Sequence, residues 1–426
     1  MMNSKAKKLI SVVLCLVLCL GGLYALTFLT ERKNSYEKYK AFFDEKNDFD
    51  VLFVGTSHIM NGVYPMELWN DYGIVSYNFG GHANMIPTSY WVLRNALDYT
   101  SPKLVVMDCQ GLSYNYKYSD NWYFLHLSFD AFPLSTNKIR AVRDLFDSEG
   151  FDVPQAGLER ATPISLLWDF SVYHSRWAEL TAEDFKPELN IEKGAESRIG
   201  IDAPNKIKRT AEKFDGGSIG IRYLERIITE CRQSGIDVLL VNLPLPATES
   251  QLMDANRIYD LAKELNVNYI NFFDLDIVDY DTDMYDSDSH LNPSGARKVT
   301  DYLGRYIRSN YDIPDHRNDT SFSSWHDDYS KYTEFKISNL KQAEKLDVYM
   351  TLLTDKNISV ETYIGNEGLL TDSYYSRFFA NLGIDAPSFE ADNTDADVRF
   401  VVLDKNTGNI IDSASFIDGI RLLSVK

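Results

Sequence analysis

The stretch DFDVLFVGTSHIMNG, residues 48–62, decides how the rest of the chain is read. Four apolar residues, Val51 to Val54, stop at Gly55, and a hydroxyl pair, Thr56 and Ser57, follows at once. A short apolar run closed by glycine reads as a strand buried on both faces, as in a parallel sheet covered by helices. Gly and Ser are also ordinary turn punctuation. The stretch alone therefore leaves two readings open: a plain turn, or a small nucleophile lifted to the carboxyl edge of a sheet.

Working outward, the same alternation continues. GIVSYNFGG (73–81) and PKLVVMDCQG (102–111) read as strands, separated by the helical SYWVLRNALDY (89–99). Later, IGIRYLERIITECRQSG (219–235) sets Ile221, Leu224, Ile228 and Cys231 on one helical face and stops at Gly235. IDVLLVNLPLP is then a strand, ESQLMDANRIYDLAKELN a helix, VNYINFFDL a strand and PSGARKVTDYLGRYI a closing helix. The expected fold is α/β, a parallel sheet with helices on both faces. Ligands of such sheets lie beyond the carboxyl ends of the strands, where GTSH, GGHAN, DCQG and NLPLP would gather.

The 426 residues allow one large domain and a smaller one. Acidic residues outnumber basic ones, 62 to 43, for a net charge of -19. No nucleic-acid partner is expected, because phosphate binding is driven by Lys and Arg. At the N-terminus, Lys5, Lys7 and Lys8 precede LISVVLCLVLCLGGLYALTFLT (9–30), an uncharged run of the length that spans a bilayer. The preceding positive charges place everything after Glu31 outside. A cleaved signal peptide is the alternative, but the run exceeds an ordinary signal core and no clear A-x-A site follows. A lipoprotein signal at Cys19 is disfavoured by the large Leu18 before it. The reading is an uncleaved single-pass anchor in the cell membrane. Cys109 and Cys231 sit in apolar elements outside the span and read as buried thiols rather than a disulfide framework.

Residues 1–30 are thus tail and anchor, 31–47 a polar connector, and 48–314 the main domain. Residues 113–215 interrupt it with an insertion rich in Tyr114, Tyr116, Trp122, Tyr123, Phe124, Trp168 and Trp177. Those aromatics read first as the small core of a helical cap and second as a lid that stacks on sugar. HRNDTSFSSWHDDYSKY (316–332) looks like a linker, and 328–426 like a small accessory α+β domain. In that domain DVYMTLLT and ISVETYI are strand-like, and a hairpin turns at 406–408.

A second informative stretch is MYDSDSHLNPSGA (284–296). His290 stands just before a helix opened by Pro293, with Asp286 and Asp288 preceding it. A histidine with a carboxylate behind it is what activates a serine hydroxyl, because the imidazole takes the proton and the carboxylate fixes its tautomer. The run DYDTDMYDSDSH carries calcium-loop spacing at Asp279, Asp281 and Asp283. Met284 replaces the required glycine and His290 the terminal glutamate, so solvated loop charge is the reading preferred. No metal or organic cofactor is called for.

These blocks resemble the SGNH/GDSL-type hydrolase superfamily, and in particular membrane-anchored cell-surface polysaccharide O-acyltransferases and esterases. VLFVGTSHI is similar to the first block, YNFGGHAN to the second and DSDSHLNPSGA to the last. The resemblance spans residues 48–311 apart from the insertion. It implies a flavodoxin-like three-layer fold with Ser57 as nucleophile and His290 as base. Oxyanion donors would be the Ser57 amide and a Gly80 or Gly81 amide, with Asn84 or Gln110 supplying a side-chain donor. The Gly-x-Asn-Asp of the third block is replaced by MDCQG, and Ala83 stands where the second block often ends in Gly. The acid usually three residues before the histidine is Ser287 here, so Asp288 or Asp286 must serve, and Asp288 is favoured because a D-x-H arrangement also occurs in relatives that acetylate exopolysaccharides. His58 and His82 flank the expected crevice as substrate contacts or hydrogen-bonding spacers.

The implied activity is a serine esterase or O-acyltransferase acting on cell-envelope polysaccharide or a teichoic-acid-like polymer. A transferase would need an integral-membrane acyl donor as partner. The alternative is a catalytically degenerate glycan-binding or assembly scaffold. A lipase or thioesterase reading would require an apolar acyl channel.

Overall fold

The computed structural model describes residues 4–45, 48–147, 162–186, 190–204, 209–384 and 396–422. Parts of the connector, insertion and C-terminal block read above (46–47, 148–161, 187–189, 205–208, 385–395 and 423–426) lie outside the described residues. The apolar N-terminal run forms a single helix, α1 (Ser4–Thr30), long and apolar enough to cross a membrane or to act as a signal sequence. A second helix, α2 (Lys33–Phe43), leads from it to the folded body.

The body begins β1 (Val51–Gly55), α3 (Ser57–Gly62), α4 (Pro65–Tyr72), β2 (Ser76–Gly80), α5 (Ile86–Ala96) and β3 (Leu104–Asp108). The insertion contributes α6 (Trp122–Phe129), α7 (Thr136–Leu145), α8 (Pro163–Leu167), α9 (Phe170–Tyr173), a 3-10 turn at His174–Ala178 and α10 (Ala182–Phe185). The chain returns through α11 (Ile219–Gln233), β4 (Asp237–Asn242), α12 (Glu249–Leu265), β5 (Asn268–Asn271) and α13 (Pro293–Asn310).

The five strands pair in parallel in the order β2-β1-β3-β4-β5. That order reverses direction between β1 and β3, where doubly wound sheets open a crevice. Alternate strand residues serve opposite layers. Leu52, Val54, Val105, Met107 and Leu240 pack with α5, α11 and α12 on one face. Val51, Phe53, Val106, Leu239 and Val241 pack with α3, α4 and α13 on the other. Cys109 and Cys231 are buried free thiols.

Three expectations change. The segment read as a linker is instead α14 (Ser323–Gln342), preceded by a short 3-10 turn. Trp325 and Tyr332 are fully buried in the main core, and Trp69 meets Trp325 at 5.4 Å between ring centroids. Residues 347–354, read as strand-like, belong mostly to the helix α15 (Leu346–Leu352). Leu346, Tyr349, Met350 and Leu353 are buried at helical i, i+3, i+4, i+7 spacing, which the alternation of Val348, Met350 and Leu352 had hidden. Among the described residues, the insertion builds no separate aromatic core. Tyr118, Leu125, Phe129 and Phe132 join the core of the main sheet, while Trp168 and Trp177 stay exposed. Beyond α15, β6 (Ile358–Ile364), β7 (Val398–Asp404), β8 (Ile410–Ile417) and β9 (Ile420–Arg421) form an antiparallel sheet. Its hairpin turns through Gly408, at φ 70°.

Candidate active site

At the carboxyl edge of the sheet, β1 ends at Gly55 with φ 153°, and a Cβ there would lie 2.4 Å from Asp108 Cβ. Glycine therefore lets the ends of β1 and β3 close on each other. Thr56 next caps α3, its Oγ1 accepting from the His58 N–H at 3.2 Å. Ser57 opens the helix, so its own N–H has no acceptor one turn back. Asn78 anchors this turn from β2. Its Nδ2 donates to Ile59 O (2.8 Å) and Val63 O (2.9 Å), and its Oδ1 accepts from Gly80 N (2.9 Å).

His290 arrives from a tight loop before α13. Met284 and Leu291 pair across its base, and Tyr285 N–H donates to His290 O at 2.8 Å. Buried Asn292 caps α13, accepting from Ser294 and Gly295 N–H while its Nδ2 donates to Thr282 O and Met284 O. The ring is thereby aimed at α3. His290 Nε2 lies 2.8 Å from Ser57 Oγ, and His290 Nδ1 lies 2.6 Å from Asp286 Oδ2. With Asp286 ionised, the ring proton sits on Nδ1 and the Ser57 hydroxyl donates to Nε2.

The carboxylate behind the ring is Asp286, whereas Asp288 is exposed. The cause is local. Asp286 Oδ1 gathers the N–H groups of Asp288 (3.2 Å), Ser289 (2.7 Å) and His290 (3.0 Å), curling the loop so that its other oxygen meets the ring. Partial burial would raise the Asp286 pKa, but the His290 ring and these amides hold it below the ordinary carboxylate range.

Neither glycine amide is free. Gly80 N–H donates to Asn78 Oδ1, and Gly81 N–H donates to Gly55 O at 3.0 Å, extending the β1–β2 ladder by one residue. What these glycines provide is close approach. A Cβ on Gly80 would meet Met60 N at 2.5 Å, and one on Gly81 would meet Asn84 Nδ2 at 2.4 Å. Asn84 is buried, its Oδ1 accepts from Ser128 Oγ at 2.7 Å, and its Nδ2 has no partner among the described residues. The turn before it holds Ala83 at φ 47°. Gln110 is buried at the end of β3, its N–H on Asp108 Oδ1 at 3.3 Å.

A second polar line runs beneath Ser57. Asp108 Oδ2 accepts from the Thr56 hydroxyl at 2.6 Å, and Thr56 Oγ1 lies 2.8 Å from His58 Nδ1. Burial holds Asp108 up at about 6. Burial and the neighbouring His290 push His58 down to about 3. His58 is thus a neutral imidazole whose ring centroid stands 5.7 Å from that of His290. His82 stacks on Phe124 at 5.4 Å and faces Glu196 at 3.8 Å.

Sequence reading missed the wall beside this edge. Glu196 N–H donates to Met60 O (3.0 Å) and Asn61 Nδ2 donates to Glu196 O (2.6 Å), laying the end of the insertion against α3. A cavity of about 600 Å3 opens there, lined by Lys38, Gly81, His82, Phe124, Glu196 and Arg198 among others. Lys38, from α2, donates to Gly80 O, and burial lowers its amine to about 7. Only Asn78, a polar residue inside an apolar strand, carried a sequence signal. Lys38 and Glu196 come from far along the chain.

The acidic run before His290 is not solvated loop charge throughout. Asp283 is fully buried, accepting from Ser294 Oγ (2.6 Å) and pairing with Lys298 (2.6 Å), and Arg377 pairs with Asp279 and Asp281. These partners bind the run to α13 and to the C-terminal block. Among the described residues, no cluster of His, Cys, Asp and Glu has the geometry to hold a metal ion.

No protein-family model matches the chain, and no curated protein matches it. Among solved structures, a crystal structure from Bacteroides fragilis described as a "putative acylhydrolase" aligns over 66% of this chain and 98% of that one, at TM-score 0.30 and 11% identity. A likeness at that level carries no inference about activity.

Proposed function

We propose that the protein is a membrane-anchored, extracellular serine esterase or O-acyltransferase of SGNH/GDSL type, acting on acyl esters of cell-envelope polysaccharide or a teichoic-acid-like polymer. The observation that carries this reading is the continuous line from Ser57 Oγ through the His290 ring to Asp286, at 2.8 and 2.6 Å. Its members match the roles that acyl transfer requires.

In this reading Ser57 Oγ attacks the ester carbonyl as His290 Nε2 takes its proton. Asp286 steadies the imidazolium through Nδ1–H. The tetrahedral oxyanion forms against the Ser57 N–H and the unpartnered Nδ2 of Asn84, in place of the engaged glycine amides. His290 then returns the proton to the leaving alcohol, giving an acyl-serine, which water or a sugar hydroxyl cleaves with His290 again as base. The adjoining cavity, with His82, Lys38 and Arg198 beside the Phe124 ring, suits a polar glycan better than a fatty chain. If the acyl group is transferred, an integral-membrane protein supplies it.

The alternative, a non-catalytic glycan-binding scaffold, draws on the engagement of both glycine amides. Fluorophosphonate labelling of the full chain separates the two. Label on Ser57, lost in folded Ser57→Ala and His290→Ala variants, supports the enzyme. A folded parent that takes no label and leaves p-nitrophenyl acetate intact would sink it.

A further inference from the structure

The outer end of α1 does not stand clear of the folded body. Leu9 to Leu20 are exposed all round, whereas Leu23, Thr27, Phe28 and Leu29 are half-covered and Thr30 is buried. The cover is the insertion: α9, the His174–Ala178 turn and α10 all pack along these last turns. Arg176 Nη1 donates to Thr30 O and Glu31 O, both at 2.7 Å, satisfying carbonyls that a helix end leaves open. Arg176 Nη2 pairs with Asp184 of α10 at 2.9 Å, so the same side chain fastens α10 into the joint.

These covering elements, together with α8, which packs against α9, carry large apolar side chains that stay exposed. Trp177 is 73% exposed, Ile164 65%, Phe185 62% and Trp168 45%. Their depth follows from helix geometry. Residues 9–30 at 1.5 Å each run about 32 Å, close to the ~30 Å of a bilayer's hydrocarbon core. Residues 23–30 occupy roughly the last 10 Å of that run. Whatever packs on them lies at the boundary between acyl chains and headgroups. Trp and Phe side chains facing outward at that level meet the environment such rings favour, apolar on one side and wet on the other.

We propose that α8, α9, the His174–Ala178 turn and α10 form a second membrane contact, in which Ile164, Trp168, Trp177 and Phe185 enter the outer-leaflet interface beside α1. The occupant is the phospholipid bilayer itself, reached by continuity with the span. The joint at Arg176 ties the body to α1, but a lone span can still tilt in the bilayer and carry the body with it. A second contact on the same side fixes its height and tilt. The 600 Å3 cavity, lined by Glu37, Lys38 and Tyr39 of α2, then opens at a set distance above the lipid. The inference rests on α1 spanning the bilayer and is independent of the chemistry at Ser57.

The test uses the full chain in phosphatidylcholine vesicles, with a fraction of the lipid dibrominated near the headgroup end of its chains. Tryptophan fluorescence is compared between the parent and Trp168→Phe/Trp177→Phe, whose exposed sites tolerate the change. Co-flotation with the vesicles reports the span. The proposal expects bromine quenching in the parent and a drop of at least two-thirds in that quenched fraction in the double variant. Equal quenching in both proteins, or none in a parent that co-floats, overturns the contact and leaves the face to water or to a protein partner. A chain that does not co-float overturns the span and the contact together.

Discussion

Asp286 divides its carboxylate between two tasks, with Oδ1 holding the backbone of its own loop and Oδ2 standing 2.6 Å from His290 Nδ1. One residue thus shapes the loop and orients the ring that faces Ser57. Asp288, two residues from the histidine, does neither.

Asp286→Asn is therefore expected to lower the rate of fluorophosphonate labelling and of p-nitrophenyl acetate turnover by about 10^3- to 10^4-fold, because the amide favours the wrong tautomer. Asp288→Asn should stay within about twofold of the parent, as its side chain is exposed and the ring is held by Asp286 instead. Equal losses in the two variants would remove Asp286 from its assigned role.

Asn84 offers a separate check on the proposed oxyanion site. Its Nδ2 is buried without a partner, and Asn84→Ala should reduce kcat by about 10^2- to 10^3-fold with little change in KM. Gly81→Ala tests the packing beside it: a Cβ at 2.4 Å from Asn84 Nδ2 must displace the donor, so the same kinetic defect is expected from a residue that donates nothing itself. Normal kcat in Asn84→Ala would move the oxyanion elsewhere.

His58 predicts a pH dependence of stability. Its pKa falls from about 6.5 in the unfolded chain to about 3 in the fold. Between those values the unfolded state binds the extra proton, so His58 makes stability rise with pH and fall as the solution is acidified. Asp108, raised to about 6, opposes this between about pH 4 and 6, where the fold keeps a proton that the unfolded chain releases. His58→Gln should flatten the acid loss between pH 6.5 and 4 by up to ~1.4 kcal/mol per pH unit in urea titrations. Parallel profiles for parent and variant would contradict this account.

Trp325 tests whether α14 belongs to the main body. The ring is fully buried against Trp69 and Phe49, and Trp325→Ala is expected to cost about 3–5 kcal/mol of global stability by chemical denaturation. A change below about 1 kcal/mol, the usual range for exposed positions, would return the segment to a tether.

The strands were legible because each is an apolar run ended by a residue that marks the sheet edge, and Gly55 marks it most clearly. The meeting of Ser57 with His290 was legible for the same reason, since both stand where strand or loop gives way to a helix. The choice between Asp286 and Asp288 was not, because it depends on which carboxylate collects the loop's amides. Nor was the fate of the Gly80 and Gly81 amides, which a one-residue extension of the ladder decides. The helix α14 was hidden because its buried residues, Trp325, Tyr332 and Leu340, fall only every second turn among polar neighbours. Lys38 and Glu196 reach the crevice through tertiary connections that no local pattern encodes.

Ser57 and His290 are 233 positions apart, at the first strand edge and the threshold of α13. Bringing them together requires the whole sheet, with the insertion already folded back against α3. A chain clipped before α13 would carry Ser57 without His290. The pair is thus a product of the completed fold, and any cut between β1 and α13 that lets the two parts separate takes it away.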